Sequence, residues 1–149
     1  MGTFKTNHQS VKPTIMIRDL QGLEDVSRLI KKKLPEGGIV LLRGDLASGK
    51  TTLVQAFVKF LGLKVEATSP TFSVMNVYGD EVYHYDIYNE GTAKFIESGL
   101  LENLEKRGYH FIEWADEKLV AILDTYGFTA LKIEIKAIEN KREYSIHEA

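Results

Sequence analysis

Ile39-Val40-Leu41-Leu42 leads through Arg43 into Gly44-Asp45-Leu46-Ala47-Ser48-Gly49-Lys50-Thr51-Thr52. The first part is an unbroken apolar run bounded by glycines. Such a run suits a strand buried on both faces, as the inner strands of a parallel sheet are. The second part matches G-x-x-x-x-G-K-[ST] at every fixed position, and each position has a physical task. Gly44 and Gly49 reach backbone angles that other residues resist, which lets the chain approach an anion closely. Successive N–H groups of the loop then face phosphate oxygens, and the next helix adds the positive end of its dipole. Lys50 is expected to reach the β- and γ-phosphates. The Thr51 hydroxyl is expected to ligate Mg²⁺, and Thr52 to help hold a phosphate.

Working outward, Thr14–Arg18 alternates and is β-branched, which predicts a short strand. Leu23, Val26, Leu29, Ile30 and Leu34 fall at helical spacing, so Gly22–Leu34 reads as a helix ended by Pro35 and Gly37-Gly38. Lys31, Lys32 and Lys33 read as its solvated face. A helix is expected from Lys50 to Leu61, stopped by Gly62. Phe72–Tyr78 and Glu81–Ile87 flank Gly79-Asp80 and predict a hairpin. Thr92–Lys106 is weakly helical. Tyr109–Glu113 reads as a strand, Ala115–Tyr126 as a helix ended by Gly127, and Phe128–Ile138 and Arg142–His147 as strands joined near Glu139-Asn140-Lys141. Parallel βα units mixed with hairpins predict an α/β three-layer sandwich of the P-loop type, with a mixed parallel and antiparallel sheet. Residues 1–13 read as a loose segment and 14–149 as one domain.

A magnesium-triphosphate site also needs a carboxylate at the end of a neighbouring strand. Glu113 closes an apolar strand and is the candidate, with Thr51, for Mg²⁺. Trp114 after it reads as core packing. Ser69-Pro70-Thr71-Phe72 follows the P-loop helix, where switch segments that sense the γ-phosphate lie. His84, Asp86 and Tyr88 share one face of a strand, because side chains alternate. Asp86 there would orient a water or serve the metal.

The 149 residues carry a net charge of −2 and no cysteine. Disulfides, thiolate metal sites and cysteine nucleophiles are thereby excluded. No basic excess marks a free-standing nucleic-acid binder, so no DNA partner is expected. No apolar run approaches membrane-spanning length, and a cytoplasmic location is expected.

Taken in order, these motifs resemble the TsaE (YjeE) family of small P-loop ATPases in bacterial tRNA threonylcarbamoyladenosine synthesis. The resemblance runs from Gly44–Thr52 through Ser69-Pro70-Thr71-Phe72-Ser73, His84-x-Asp86-x-Tyr88 and Glu97-Ser98-Gly99-Leu100 to Ile112-Glu113-Trp114. It implies ATP binding by Gly44, Asp45, Leu46, Ala47, Ser48, Gly49, Lys50, Thr51 and Thr52. It further implies Mg²⁺ on Thr51 and Glu113, catalytic roles for Lys50 and Asp86, and a switch at Ser69–Phe72. The implied partners are TsaB and TsaD, with tRNA reached indirectly through the complex. The turn at 139–142 is one candidate for adenine contacts. Ala47-Ser48 departs from the family's Gly-Ala, and Asn89 stands where the family has Arg. Three other readings stay open. A small-molecule or nucleotide kinase would use the same cradle but would need arginines on a lid. A GTPase would read guanine through Asn140-Lys141-Arg142-Glu143. A docking module would bind nucleotide without significant turnover.

Overall fold

The computed structural model describes residues 12–44, 49–65, 75–87 and 91–148. In chain order the elements are β1 (Thr14–Arg18), a 3₁₀ turn at Leu20–Gly22, α1 (Leu23–Lys33), β2 (Gly37–Arg43), α2 (Lys50–Phe60), β3 (Met75–Tyr78) and β4 (Val82–Asp86). They continue with α3 (Gly91–Glu97), α4 (Leu100–Asn103), β5 (Gly108–Glu113), α5 (Glu117–Thr125), β6 (Ala130–Ile138) and β7 (Lys141–Glu148). Seven strands form one sheet in the order β1-β7-β6-β2-β5-β4-β3. β4, β5, β2 and β6 run parallel, while β3 and the β7–β1 pair run antiparallel at the two edges. This is the mixed α/β sheet that the sequence predicts.

The apolar run on β2 feeds two cores. Val40 and Leu42 join α1 and α2 on one face of the sheet. Ile39 and Leu41 join residues of α3, α4 and α5 on the other. Strand alternation sends successive side chains to opposite faces, so a strand covered on both sides must be apolar throughout. Each such side chain, fully buried, contributes about 1.5–3 kcal/mol of transfer free energy. α1 buries Leu23, Val26 and Ile30 and places Glu24 and Asp25 in its first turn and Lys31–Lys33 in its last. That charge order complements the helix dipole. The basic run is not wholly solvated: Lys31 Nζ donates to the Pro35 carbonyl, and Lys33 pairs with Glu148.

Element boundaries shift where caps and turns override periodicity. The Asp116 side chain accepts from the Leu119 N–H, so α5 starts at Glu117 rather than at Ala115. The weak helical signal over Thr92–Lys106 resolves into α3 and α4, separated at Gly99, whose φ is 77°. Gly79 and Asp80 both have positive φ, as a type I′ turn between β3 and β4 requires. The strand expected from Phe128 begins at Ala130. Residues 72–74, at the start of the expected β3, lie outside the described residues.

The far face holds a buried polar chain. Asn103 Nδ2 donates to the Tyr85 hydroxyl, Tyr85 meets His110 Nδ1 at 2.6 Å, and His110 Nε2 meets the Lys106 carbonyl at 2.8 Å. Burial holds the His110 imidazole below the ordinary histidine value. The chain ties α4 to the sheet with every member paired, as buried polar groups require. No helix among the described residues is long and apolar enough to cross a membrane.

Candidate active site

β2 has parallel neighbours on both sides, β5 and β6. The loop after β2 therefore leaves the sheet where connections diverge to opposite faces, and ligands of open α/β sheets bind in such crevices. Gly44 and Gly49, with φ of 156° and 104°, bracket that loop. Gly49 stands at the N-cap of α2 in the left-handed region, with no side-chain cap. The first amides of α2 are thus left for an anion. A Cβ on Gly49 would sit 3.3 Å from the Arg142 guanidinium carbon in a conformation that L residues rarely adopt. The backbone angle favours glycine there, and a side chain would also press the Arg142 guanidinium aside.

Lys50 is only 3% exposed. Its Nζ donates to the Gly44 carbonyl at 2.8 Å and lies 4.4 Å from the centre of the Trp114 ring. A buried ammonium needs such partners.

Strand register assembles the acids. Leu42, Glu113 and Asp86 are paired across β2, β5 and β4. In parallel strands, paired residues project to the same face, and here that is the face carrying α2. Thr51, in the first turn of α2, donates its hydroxyl to Glu113 Oε2 at 3.0 Å. His84 lies two residues before Asp86 on the same face, and its Nε2 bonds the same Oε2. Glu113 and His84 are both buried. Burial pushes the Glu113 carboxyl up. The bond and field of His84, the Thr51 hydroxyl and the Lys50 charge together outweigh burial and hold it below the ordinary value. Glu113 is therefore a buried carboxylate, kept ionised by its neighbours, beside a threonine hydroxyl at a phosphate-binding helix end. Burial and the same negative charge raise the Tyr78 phenol.

The structure thus brings together Gly44, Gly49, Lys50, Thr51, Asp86 and Glu113; Thr52, exposed like Thr51, follows on the first turn of α2. Asp45, Leu46, Ala47, Ser48, Ser69, Pro70, Thr71, Phe72 and Tyr88 lie outside the described residues. Trp114, part of the Ile112-Glu113-Trp114 motif, and Arg142, within the 139–142 candidate for adenine contacts, take places at the site that the sequence reading does not specify. Trp114 packs partly against the second core, as expected, but its ring also faces Lys50, and its φ is 71°. Bulky residues in that region are strained, and such strain concentrates at functional sites. Arg142 enters from β7. Its Nε is buried and has no hydrogen-bond partner among the described residues. The turn at Glu139-Asn140 that precedes β7 rises beyond the same end of the sheet.

Residues 17–144 match the family model described as "Threonylcarbamoyl adenosine biosynthesis protein TsaE". The chain is similar to proteins named tRNA threonylcarbamoyladenosine biosynthesis protein TsaE in several bacteria. That of Treponema pallidum is 36% identical over 104 residues, 68% of this chain and 76% of the relative. That of Bacillus subtilis is 30% identical over 130 residues, 79% and 81% respectively. The similarity to the Synechocystis protein is 40% over 79 residues and spans 51% of this chain and half of that relative's length. Among solved structures, the crystal structure of Bacillus subtilis YdiB superposes with a TM-score of 0.61 at 24% identity, covering 93% of this chain and 88% of that one. That likeness concerns the fold.

Proposed function

The chain belongs to the TsaE family of threonylcarbamoyl adenosine biosynthesis proteins, and from that premise we propose that it is the family's ATP-driven subunit. It binds MgATP on the Gly44–Thr52 loop and hydrolyses it slowly when alone. With TsaB and TsaD, in the cytoplasm, it supports transfer of the threonylcarbamoyl group to the adenosine beside the anticodon of tRNAs reading codons that begin with A. Contact with tRNA is indirect, through the complex.

The observation that carries the MgATP reading is the Thr51–Glu113 pair, 3.0 Å apart at the start of α2. Among the described residues no group of three or more histidines and acids forms a metal cage. That fits Mg²⁺, which is held through one or two protein oxygens with substrate phosphates and water completing its shell. One ionised carboxylate and one hydroxyl are such a donor set. When bound, Mg²⁺ would neutralise charge building on the phosphate oxygens.

The rest of the chemistry belongs to the chain's own groups. The amides at the start of α2 and the Lys50 ammonium hold the β- and γ-phosphates. Lys50 leaves the Gly44 carbonyl for the phosphate, exchanging one oxygen acceptor for a charged one. Asp86, at the end of β4 beside Glu113, orients the attacking water and accepts its proton. Arg142, beside Gly49, adds a second cation at the edge of the nucleotide. The segment Ser69–Phe72 is the switch that responds to the γ-phosphate.

Reconstitution tests the role as a whole. With TsaB, TsaD, threonylcarbamoyl-adenylate, ATP and tRNA, modified nucleoside is expected to accumulate over many turnovers only when this protein is included. An undiminished yield without it contradicts the assignment.

A further inference from the structure

We propose that His84 is a positioning residue, which fixes the Glu113 carboxylate for the cation that arrives with the triphosphate. The inference rests on the MgATP reading above. Two hydrogen bonds converge on one atom, Glu113 Oε2: one from the Thr51 hydroxyl on α2 and one from His84 Nε2 on β4. The residues stand 62 and 29 positions from Glu113 in the chain. Neither bond is a by-product of local sequence. An ionised carboxylate only accepts, so Nε2 carries the hydrogen that His84 gives it.

His84 is 6% exposed and Glu113 4%. In that setting the imidazole can do one thing that Thr51 cannot. The threonine hydroxyl would itself be a cation ligand, and its bond to Glu113 would then be given up. His84 approaches from β4, the strand on the far side of β5 from β2, and has no need to move. It holds the long glutamate side chain in place while Thr51 lets go. Partners of this kind set a ligand's orientation, and losing one costs about 10–100-fold in metal affinity. The contrast with the other buried histidine of the sheet is plain. His110 projects to the opposite face and spends its ring nitrogens on Tyr85 and Lys106.

The test is calorimetric titration with ATP at a series of Mg²⁺ concentrations, on wild type, His84→Phe, His84→Asn and His84→Gln. The glutamine amide N–H extends about as far as Nε2, whereas that of asparagine falls short. ATP binding without Mg²⁺ is expected to be the same in all four. His84→Phe and His84→Asn should need about 10–100-fold more Mg²⁺ to tighten binding, and His84→Gln should recover most of the loss. If His84→Phe does not fold, the Asn–Gln pair carries the comparison. Wild-type Mg²⁺ dependence in the Asn variant, or equal impairment of Asn and Gln, overturns the role of His84 alone. A wild type whose ATP binding ignores Mg²⁺ overturns the MgATP reading, and His84 with it.

Discussion

Lys50→Ala is expected to abolish ATP binding at ordinary concentrations. Lys50 is a buried cation whose partners include a carbonyl and an aromatic face. A phosphate oxygen is a better acceptor than either, because a bond charged on both sides is shorter and stronger than one to a neutral carbonyl. Such bonds contribute about 1.5–3 kcal/mol each. Losing two of them, to the β- and γ-phosphates, weakens Kd by roughly a hundredfold or more. Removing the side chain also takes away one of the charges that hold the buried Glu113 carboxylate ionised, so a melting curve beside the titration separates loss of fold from loss of binding. Wild-type affinity in a folded Lys50→Ala protein contradicts the assignment of the loop.

The second large effect is expected in turnover rather than in binding. Asp86→Asn keeps the shape of the side chain and removes its charge and basicity. Glu113→Gln keeps the length that meets Thr51 and His84, but its amide turns either a neutral oxygen or a donor toward the cation. Positioned acids and bases contribute about 10²–10⁴-fold to rate. With the partners present, each variant should hydrolyse ATP about a hundredfold more slowly, while its affinity for ATP without Mg²⁺ moves far less. Both substitutions keep the size of the side chain, so neither opens a cavity in the core. Normal hydrolysis by both variants contradicts the roles given to them.

The strand–loop–helix around Gly44–Lys50 is legible in the sequence because its chemistry is local. Four spaced residues define it, and an apolar run on one side with a helical period on the other supplies the context. Glu113 is legible for a related reason: an apolar strand that ends on an acid has few uses. Asp86 follows from alternation along β4. The bond between His84 and Glu113 is not legible in this way. It depends on β4 lying beside β5, and no local pattern encodes a parallel pairing across 29 residues. The same holds for Arg142, which reaches Gly49 only because β7 folds back along β6. Trp114 is missed for a different reason. Nothing in a bulky aromatic residue announces a left-handed backbone, and the strain is held by its surroundings. Helix ends miss by a residue or two where a cap such as Asp116 decides the boundary. The family's Gly-Ala position at Ala47-Ser48, the segment Ser69–Phe72 and Asn89 lie outside the described residues.

The central claim is a magnesium-assisted adenine-nucleotide site built on Lys50, Thr51 and Glu113. Its most direct test is calorimetric titration of the wild-type protein with ATP and with GTP, each with and without Mg²⁺. ATP is expected to bind at one site per chain, more tightly with Mg²⁺ present, and GTP to bind more weakly under both conditions. GTP binding as tight as ATP binding, or ATP binding indifferent to Mg²⁺, would contradict the account.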